Sequence, residues 1–234
     1  MDILYARLSK ENFFLPDICN FSPIAIVLKK EGYGSYFIEI GYMIKAEKIQ
    51  ILQSWNINHS WSLFLDRDGI INRKIEDGYV TSWEYFEFMP DALSALQIIA
   101  QKFNRLFIIT NQSGIGKGLM TEQNLQNIHK KMIEILEQHN IHVNRIYYCP
   151  HDYEKETCNC RKPEIGLGLK AKKDFPEIDF DKSIMVGDSV SDIEFGDRLG
   201  MKLCYIGKMP FEDVPNLICF PSLLDFALHV AQIW

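Results

Sequence analysis

Short apolar runs alternate with longer helical segments from about residue 61 to residue 207, and this alternation constrains the fold more than any other feature of the chain. Strands that alternate with helices indicate a parallel sheet that is covered on both faces. We therefore predict an α/β fold with a doubly wound parallel sheet. The predicted strands are WSLFL (61–65), RLFIIT (105–110), NRIYY (144–148), SIMVGD (183–188) and KLCYIG (202–207), of which the fifth is expected to be the last.

Four helices are predicted between these strands, with Thr121 as the N-cap of the second and Gly200 as the end of the fourth. The three histidines on or after the second helix, His129, His139 and His142, are expected at the surface. The predicted helices are DALSALQIIAQKF (91–103), TEQNLQNIHKKMIEILEQHN (121–140), IGLGLKAKKDF (165–175) and SDIEFGDRLG (191–200).

Polar side chains follow three of the predicted strands. Asp66 and Asp68 come directly after the first strand, Thr110 ends the second, and Asp188 ends the fourth. In open parallel sheets the ligand crevice lies beyond the carboxyl ends of the strands, so these groups are expected at one rim. Asp66 and Asp68 are two residues apart and can point the same way, and their mutual repulsion favours a bound cation. Mg²⁺ prefers carboxylate oxygens, and Asp188 would be its third ligand. The alternative interpretation is a DxDG turn whose two carboxylates are solvated at the surface.

A cluster of metal-binding residues precedes two cations in the stretch CPHDYEKETCNCRKP. Its pattern, C-x-H followed by C-x-C, offers three thiolates and an imidazole, which suit a closed and therefore structural Zn²⁺ site. Free thiols, a disulfide and a cysteine nucleophile are the alternatives, and the disulfide is weakened by a reducing compartment. Zinc would fix a polar loop directly before Arg161 and Lys162, and would aim both cations at a phosphate. The predicted zinc ligands are Cys149, His151, Cys158 and Cys160.

Charge and hydropathy exclude several classes of protein. The net charge of −6 gives no electrostatic reason to expect a nucleic-acid partner. The first thirty residues lack the features of a secretory signal, and the longest apolar runs, such as residues 23–28, are too short to span a bilayer. We therefore expect a cytoplasmic monomer that acts on a small molecule, away from membranes.

The order of four motifs resembles that of the haloacid dehalogenase superfamily of phosphotransferases. These motifs are FLDRDG, IITN, RKP and VGDSVSD, and the resemblance covers about residues 61–208. It becomes closer through NQSGIGKGLMT, DGYV, FEFMPDAL and the CPH…CNCRKP stretch. These are similar to the subfamily that contains the D-glycero-D-manno-heptose 1,7-bisphosphate phosphatases and the histidinol-phosphate phosphatases. The resemblance implies a capless fold with a zinc-pinned loop beside the active site.

The resemblance also implies a role for each site residue. Asp66 would be the nucleophile, which forms an aspartyl-phosphate, and Asp68 would be the general acid and base. Mg²⁺ would bind Asp66, Asp188 and the backbone carbonyl of Asp68, with Asp192 supporting this site from behind. Thr110 and the amides that follow it, Asn111 and Gln112, would hold phosphoryl oxygens. Arg161 would bind phosphate, and Lys162 would balance charge in the transition state.

Two positions depart from the pattern of this subfamily. Ile70 stands where Thr or Val is usual after DxDG, a change that the fold is expected to tolerate. Ser189 follows the metal-binding aspartate where the heptose enzymes often carry Lys, which removes one possible phosphate contact. This second departure bears on the substrate more than on the reaction.

The amino-terminal residues differ in character from the rest of the chain. Two strands are predicted around PIAIVLK (23–29) and SYFIEIG (35–41), separated by the turn-rich KKEGYG. The stretch GYGSYFIEIGYMIKAEKIQ is similar to the carboxyl-terminal end of sugar-phosphate nucleotidyltransferases. We therefore divide the chain into a small β-containing extension (1–58), either a remnant of such an enzyme or an unrelated addition, and a phosphatase domain (59–234).

The resemblance implies Mg²⁺-dependent removal of the 7-phosphate from a heptose 1,7-bisphosphate, in the synthesis of nucleotide-activated heptose for lipopolysaccharide or another surface glycan. Histidinol-phosphate hydrolysis would keep every catalytic residue and change only the substrate contacts. A polynucleotide 3′-phosphatase, which would use the same DxDG motif, is a second alternative. A non-catalytic zinc-containing binding module is the third. The loop GIGKG (114–118) matches neither common nucleotide-binding glycine motif, and we expect it to face the substrate.

Overall fold

The computed structural model describes residues 39–208, 214 and 216–233. Within this part of the chain, no helix combines the length and the apolar character that are needed to cross a membrane. Two short 3₁₀ helices cover Trp83–Tyr85 and Phe180–Lys182. The strands are β1 (Ser62–Leu65), β2 (Arg105–Asn111), β3 (Arg145–Cys149), β4 (Ser183–Gly187), β5 (Lys202–Ile206) and β6 (Leu217–Phe220), and the helices are α1 (Glu39–Ser54), α2 (Ala92–Ala100), α3 (Glu122–Gln138), α4 (Gly166–Asp174), α5 (Val190–Arg198) and α6 (Leu223–Gln232).

The six strands in the described part of the chain form one parallel sheet in the order β3-β2-β1-β4-β5-β6. The chain builds one half of the sheet outward from β1 through β2 to β3, and then returns to the centre to build the other half from β4. The order therefore reverses between β1 and β4, which is where parallel sheets open a crevice for ligands. The predicted doubly wound α/β fold is confirmed.

The two faces of the sheet bury alternate residues of each strand, as the pleat of a strand requires. Leu63 and Leu65 pack into a cluster with residues of α1, α2, α3 and α6. Phe64 points to the opposite face and packs with residues of α4 and α5. The central strands are buried on both sides, which explains their continuous apolar runs.

The predicted ends of two helices are confirmed by their capping contacts. The Thr121 hydroxyl accepts a hydrogen bond from the Asn124 backbone N–H at 3.1 Å, and the Asn124 side chain accepts one from the Thr121 N–H at 2.9 Å. This reciprocal capping satisfies two backbone donors at the start of α3. Gly200 adopts a φ of +76° just beyond α5, the left-handed conformation that commonly stops a helix.

The prediction for residues 35–41 is wrong in its last part, because these residues begin α1 rather than end a strand. The alternation in SYFIEIG indicates a strand locally, but the helix-forming run that follows continues through residue 54. Leu52 is fully buried in the cluster that also contains Val230 of α6. The first predicted strand, at residues 23–29, lies outside the described residues.

The prediction that β5 ends the sheet is also wrong, since β6 adds a sixth strand beside it. Only four residues form β6, and α6 follows after a cap in which the Ser222 hydroxyl accepts from the Asp225 N–H at 3.1 Å. Buried Phe226 and Val230 place α6 against the sheet and α2.

Candidate active site

The carboxyl ends of the central strands border a cavity of about 450 Å³. It lies at the point where the strand order reverses, so it combines residues from both halves of the sheet. Six of the predicted catalytic and substrate-binding residues line it, namely Asp66, Asp68, Thr110, Asn111, Arg161 and Lys162. The loop after β1 supplies the other side of the cavity, including Lys74, Tyr79 and Val80.

Asp66 and Lys162 form a buried ion pair at the floor of the cavity. The Lys162 Nζ lies 2.7 Å from Asp66 Oδ1 and donates a second hydrogen bond to the Ile109 carbonyl at 2.7 Å. Burial, helped by the carboxylates of Asp192 and Asp68, raises the pKa of Asp66 in spite of the opposing charge of Lys162. A cation close to Asp66 would keep this carboxylate ionised, which a nucleophile requires.

Lys162 is held from two sides. Its Nζ lies 2.5 Å from Oδ1 of the fully buried Asp192, while Asp192 Oδ2 accepts a hydrogen bond from the Ser189 N–H at 3.1 Å at the start of α5. The Asn111 side chain clamps the backbone of Lys162, accepting from its N–H at 3.0 Å and donating to its carbonyl at 3.1 Å. Burial lowers the pKa of Lys162, but the carboxylates of Asp192 and Asp66 outweigh it and raise that pKa overall. The lysine is therefore a fixed positive charge.

Asp68 accepts hydrogen bonds from three different side chains. The donors are Arg67 Nη2, at 2.9 and 3.0 Å from the two oxygens, Asn72 Nδ2 at 2.9 Å and Gln112 Nε2 at 2.7 Å. Burial raises the pKa of Asp68, but the charge of Arg67 and these hydrogen bonds outweigh it and lower the pKa. The Gln112 amide also donates to Thr110 Oγ1 at 2.8 Å, so it links the ends of β1 and β2. Gln112 is itself buried and does not border the cavity.

Sequence reasoning missed Arg67 and His129, which lie behind Asp68. Arg67 is fully buried, and its Nη1 lies 3.1 Å from Nε2 of His129 on α3. The expectation that His129 is a surface residue is wrong, since only 5% of it is exposed. Burial, with the neighbouring charge of Arg67, lowers the pKa of His129 to about 3, so its imidazole is neutral. The helical spacing of His129 with Leu125 and Met132 was the available signal, because it puts all three on the buried face of α3.

Three carboxylates form a possible site for a divalent cation. One oxygen from each of Asp66, Asp188 and Asp192 lies within 4.8 Å of the others. Asp188 Oδ1 is buried and accepts no hydrogen bond within the described part of the chain, which leaves an oxygen for a hard cation. Burial raises the pKa of Asp188 although Lys74 lies 3.8 Å away. The donor set fits Mg²⁺.

Gly69 allows Asp188 to reach this position. Its φ is +90°, and a Cβ atom there would stand 2.1 Å from Asp188 Oδ2. Any other residue would therefore adopt a strained backbone and collide with the carboxylate. This contact gives the glycine of the DRDG turn a direct part in shaping the carboxylate site.

The predicted zinc ligands lie together at the end of β3. The sulfur of Cys149 is 3.5 Å from that of Cys158 and 3.0 Å from that of Cys160, while His151 Nδ1 is 3.0 Å from the Cys160 sulfur. Four such donors, all within 4.8 Å of one another, match the closed tetrahedral set that zinc prefers. The donor chemistry therefore fits Zn²⁺.

The cysteine-containing loop packs against the loop after β2 and forms one wall of the cavity. A Cβ atom on Gly116 would stand 2.4 Å from the Asp152 backbone nitrogen, so the two backbones are in close contact. Lys117 Nζ lies 2.7 Å from Glu154 Oε1 and 4.7 Å from the centre of the Tyr153 ring. Arg161 also lies 4.2 Å from the centre of this ring. Two cations therefore border the cavity around one aromatic side chain.

A family model described as polynucleotide kinase 3 phosphatase matches residues 64–204, more than half of the chain. A D-glycero-alpha-D-manno-heptose-1,7-bisphosphate 7-phosphatase of Mycobacterium bovis is 39% identical over 179 residues, covering 74% of this chain and 93% of that protein. A D-glycero-beta-D-manno-heptose-1,7-bisphosphate 7-phosphatase of Haemophilus influenzae is also 39% identical, over 140 residues that cover 58% of this chain and 74% of that protein. These relatives, named for different anomers, therefore share the same percent identity with this chain, although the match to the alpha relative covers more of it.

A solved structure shares the fold. The D,D-heptose 1,7-bisphosphate phosphatase of B. bronchiseptica, complexed with magnesium and phosphate, superposes with a TM-score of 0.67 at 27% identity. The match covers 73% of this chain and 98% of that one. The segment matched by the family model includes every acidic residue of the site from Asp66 to Asp192.

Proposed function

We infer the function from the family: the chain belongs to the haloacid dehalogenase phosphatases, in the branch that contains the heptose 1,7-bisphosphate 7-phosphatases. We propose that it removes the 7-phosphate of a D-glycero-D-manno-heptose 1,7-bisphosphate through an aspartyl-phosphate intermediate. The observation that carries this proposal is 39% identity to a phosphatase of that name over 93% of its length. Asp66, Asp68 and Lys162 line one cavity, and a carboxylate oxygen of Asp188 lies within 4.8 Å of one from Asp66, which supports the same chemistry.

In the first step, an oxygen of the Asp66 carboxylate attacks phosphorus. A bond forms between this oxygen and phosphorus, and the bond from phosphorus to the sugar oxygen breaks. Asp68 gives a proton to the departing sugar oxygen, as a general acid positioned at the same rim. Arg67 lowers the pKa of Asp68, whereas the negative charge of the bound phosphate acts in the opposite direction and favours the protonated form that this step requires. Lys162, fixed 2.7 Å from Asp66, balances the negative charge that gathers at the reacting group.

In the second step, Asp68 takes a proton from water, and the water oxygen attacks phosphorus. The bond between phosphorus and the Asp66 oxygen then breaks, which releases phosphate and restores the carboxylate. Thr110 and Asn111, at the end of β2, border the space in which the phosphoryl group would lie. Asp66, Asp188 and the backbone carbonyl of Asp68 would hold Mg²⁺, with Asp192 behind them. The ion would offset the repulsion between the nucleophile and the phosphate.

The charges around the cavity suit a substrate with two phosphates. Lys162 lies at the floor beside Asp66, whereas Arg161 and Lys117 flank Tyr153 in the wall. The planar guanidinium of Arg161 can bind two phosphate oxygens at once. We propose that this wall binds the phosphate that is not cleaved, and that Zn²⁺ bound by Cys149, His151, Cys158 and Cys160 maintains its shape.

Phosphate release by the purified protein in the presence of Mg²⁺ tests the proposal. Both anomers of heptose 1,7-bisphosphate should be compared with histidinol phosphate and with a 3′-phosphorylated oligonucleotide. We expect one bisphosphate anomer to give the highest kcat/KM. A preference for histidinol phosphate would overturn the substrate and keep the reaction, and a preference for the oligonucleotide would assign the chain to the activity in the name of its family model.

A further inference from the structure

We propose that His129 is a positioning residue, which holds the buried guanidinium of Arg67 so that Arg67 fixes the orientation of the Asp68 carboxylate. The inference rests on the proposed function, because Asp68 acts there as the general acid and base. His129 lies outside the cavity and touches Asp68 only through Arg67.

Arg67 needs this support because its guanidinium is entirely buried. A guanidinium carries five N–H donors, and burying one without acceptors is costly. Within the described residues, its hydrogen-bond acceptors are the Asp68 carboxylate and His129 Nε2, while its Nε is left without one. Removal of His129 would therefore leave Arg67 Nη1 without an acceptor as well. The guanidinium would be free to rotate away from Asp68 in search of another.

The chemistry of the pair fixes the direction of the hydrogen bond. Arginine is always a donor, so Nε2 of His129 must accept from Nη1, and the ring must be neutral with its proton on Nδ1. Only 5% of His129 is exposed, and its ring contacts the Tyr148 ring edge-on at 5.9 Å. The imidazole is therefore fixed by packing on α3 and presents a stationary acceptor to Arg67.

A role in stability alone explains this arrangement poorly. Replacing a buried charged network with apolar residues of similar volume is often neutral or stabilising. The network here ends on the carboxylate of Asp68, which must donate a proton to the departing sugar oxygen. Proton transfer requires a hydrogen bond of about 2.6–3.2 Å, so a small rotation of Asp68 would slow it.

The dependence on the leaving group separates positioning from general damage. A sugar oxygen needs a proton as it departs, whereas the nitrophenolate of p-nitrophenyl phosphate leaves without one. The ratio kcat/KM reports only the steps through the first bond cleavage, in which Asp68 acts as the acid. A displaced Asp68 should therefore lower kcat/KM for the sugar phosphate and leave kcat/KM for the aryl phosphate almost unchanged.

The experiment compares His129→Leu, His129→Gln and Ile128→Val with the wild type on both substrates. Leu removes the acceptor, Gln places an amide oxygen near the position of Nε2, and Ile128→Val removes one methyl group from the same buried face of α3. We expect His129→Leu to lower kcat/KM for the heptose bisphosphate about 100-fold, the lower end of general acid–base contributions. His129→Gln should recover most of this loss, and Ile128→Val should behave like the wild type. Equal losses on both substrates, or no recovery with Gln, would overturn the inference.

Crystal structures of the wild type and of His129→Leu give a second readout that needs no turnover. We expect the contact between Arg67 and Asp68 to be broken or rotated in the variant, and an unchanged contact would overturn the inference. Failure of the proposed function looks different. In that case the wild type would not hydrolyse the heptose bisphosphate, and the kinetic comparison would use whichever alkyl phosphate it does hydrolyse.

Discussion

The ammonium group of Lys162 lies 2.7 Å from the carboxylate of Asp66, although 96 residues separate them in the sequence. Both groups are almost completely buried, and Asp192 stands on the other side of the same ammonium group. One positive charge therefore faces two carboxylates at the floor of the cavity. Its loss should affect both the stability of the fold and the charge balance of the reaction.

Lys162→Met should lower kcat by about 100-fold to 1,000-fold, as expected for the loss of a charge that stabilises the transition state. It should also lower the free energy of unfolding by about 3–5 kcal/mol, because two buried carboxylates lose their cation. Steady-state kinetics and urea denaturation measure the two effects. Lys130→Met, on the exposed face of α3, is the control, and wild-type kcat in Lys162→Met would contradict the assigned role.

Gly69→Ala should weaken the binding of Mg²⁺. The new Cβ atom would displace Asp188, whose oxygen lies 2.1 Å from that position. We expect the Mg²⁺ concentration for half-maximal activity to rise about 10-fold to 100-fold. Gly118→Ala is a matched control, since Gly118 also has a positive φ, +73°, but nothing lies within 4 Å of its Cβ position. Similar Mg²⁺ dependence in the two variants would contradict the steric argument.

Loss of zinc should disorganise the wall that carries Arg161. Elemental analysis should find about one zinc per chain in the wild type, as four protein donors predict. Cys160→Ser should lose this zinc, and its melting temperature and kcat/KM should fall together because metal binding contributes to folding. Cys204→Ala removes a buried thiol away from the cluster and should keep its zinc. A zinc-free protein with full activity would refute this account of the loop.

The buried His129 should make the fold less stable in acid. Burial and the nearby charge of Arg67 lower its pKa from 6.5 to about 3 in the folded protein. Between these two pKa values the unfolded chain binds a proton that the folded chain does not. The free energy of unfolding is therefore unaffected by His129 above pH 6.5 and falls as the pH decreases towards 3. One such group changes the free energy of unfolding by about 1.4 kcal/mol per pH unit.

Urea denaturation at several pH values between about 4 and 8 measures this effect, because that range includes most of the interval between the pKa values of His129 in the folded and unfolded states. The slope of unfolding free energy against pH should be smaller in His129→Gln than in the wild type. His142→Gln, which replaces an exposed histidine beyond the same helix, is the control. An equal slope in His129→Gln and wild type would show that His129 binds protons alike in the folded and unfolded chains.

The rim of the site could be predicted because its geometry follows from local patterns. Asp66, Thr110 and Asp188 each follow a short apolar run, and the ends of parallel strands meet at one edge. Cys149 and Cys160 are close in the sequence, so a single loop is enough to bring the predicted zinc ligands together. In each case the sequence carries the whole signal within a few residues.

The contacts behind the rim could not be predicted in this way. Arg67 and His129 are 62 residues apart, and their contact depends on how α3 packs against the sheet. Gln112 is buried and does not border the cavity, and its amide donates hydrogen bonds to Asp68 and Thr110, which do. Helix α1 was missed because the strand-like alternation of residues 35–41 runs into a helix whose buried face becomes clear only against α6.

The central claim is that Asp66 removes the 7-phosphate and leaves the other phosphate in place. Phosphorus NMR of the reaction with heptose 1,7-bisphosphate tests this most directly, because the two phosphate groups give separate signals. We predict that the wild type with Mg²⁺ converts the 7-phosphate signal to inorganic phosphate while the 1-phosphate signal persists, and that Asp66→Asn changes neither. Loss of the 1-phosphate signal first, or turnover by Asp66→Asn, would contradict the account.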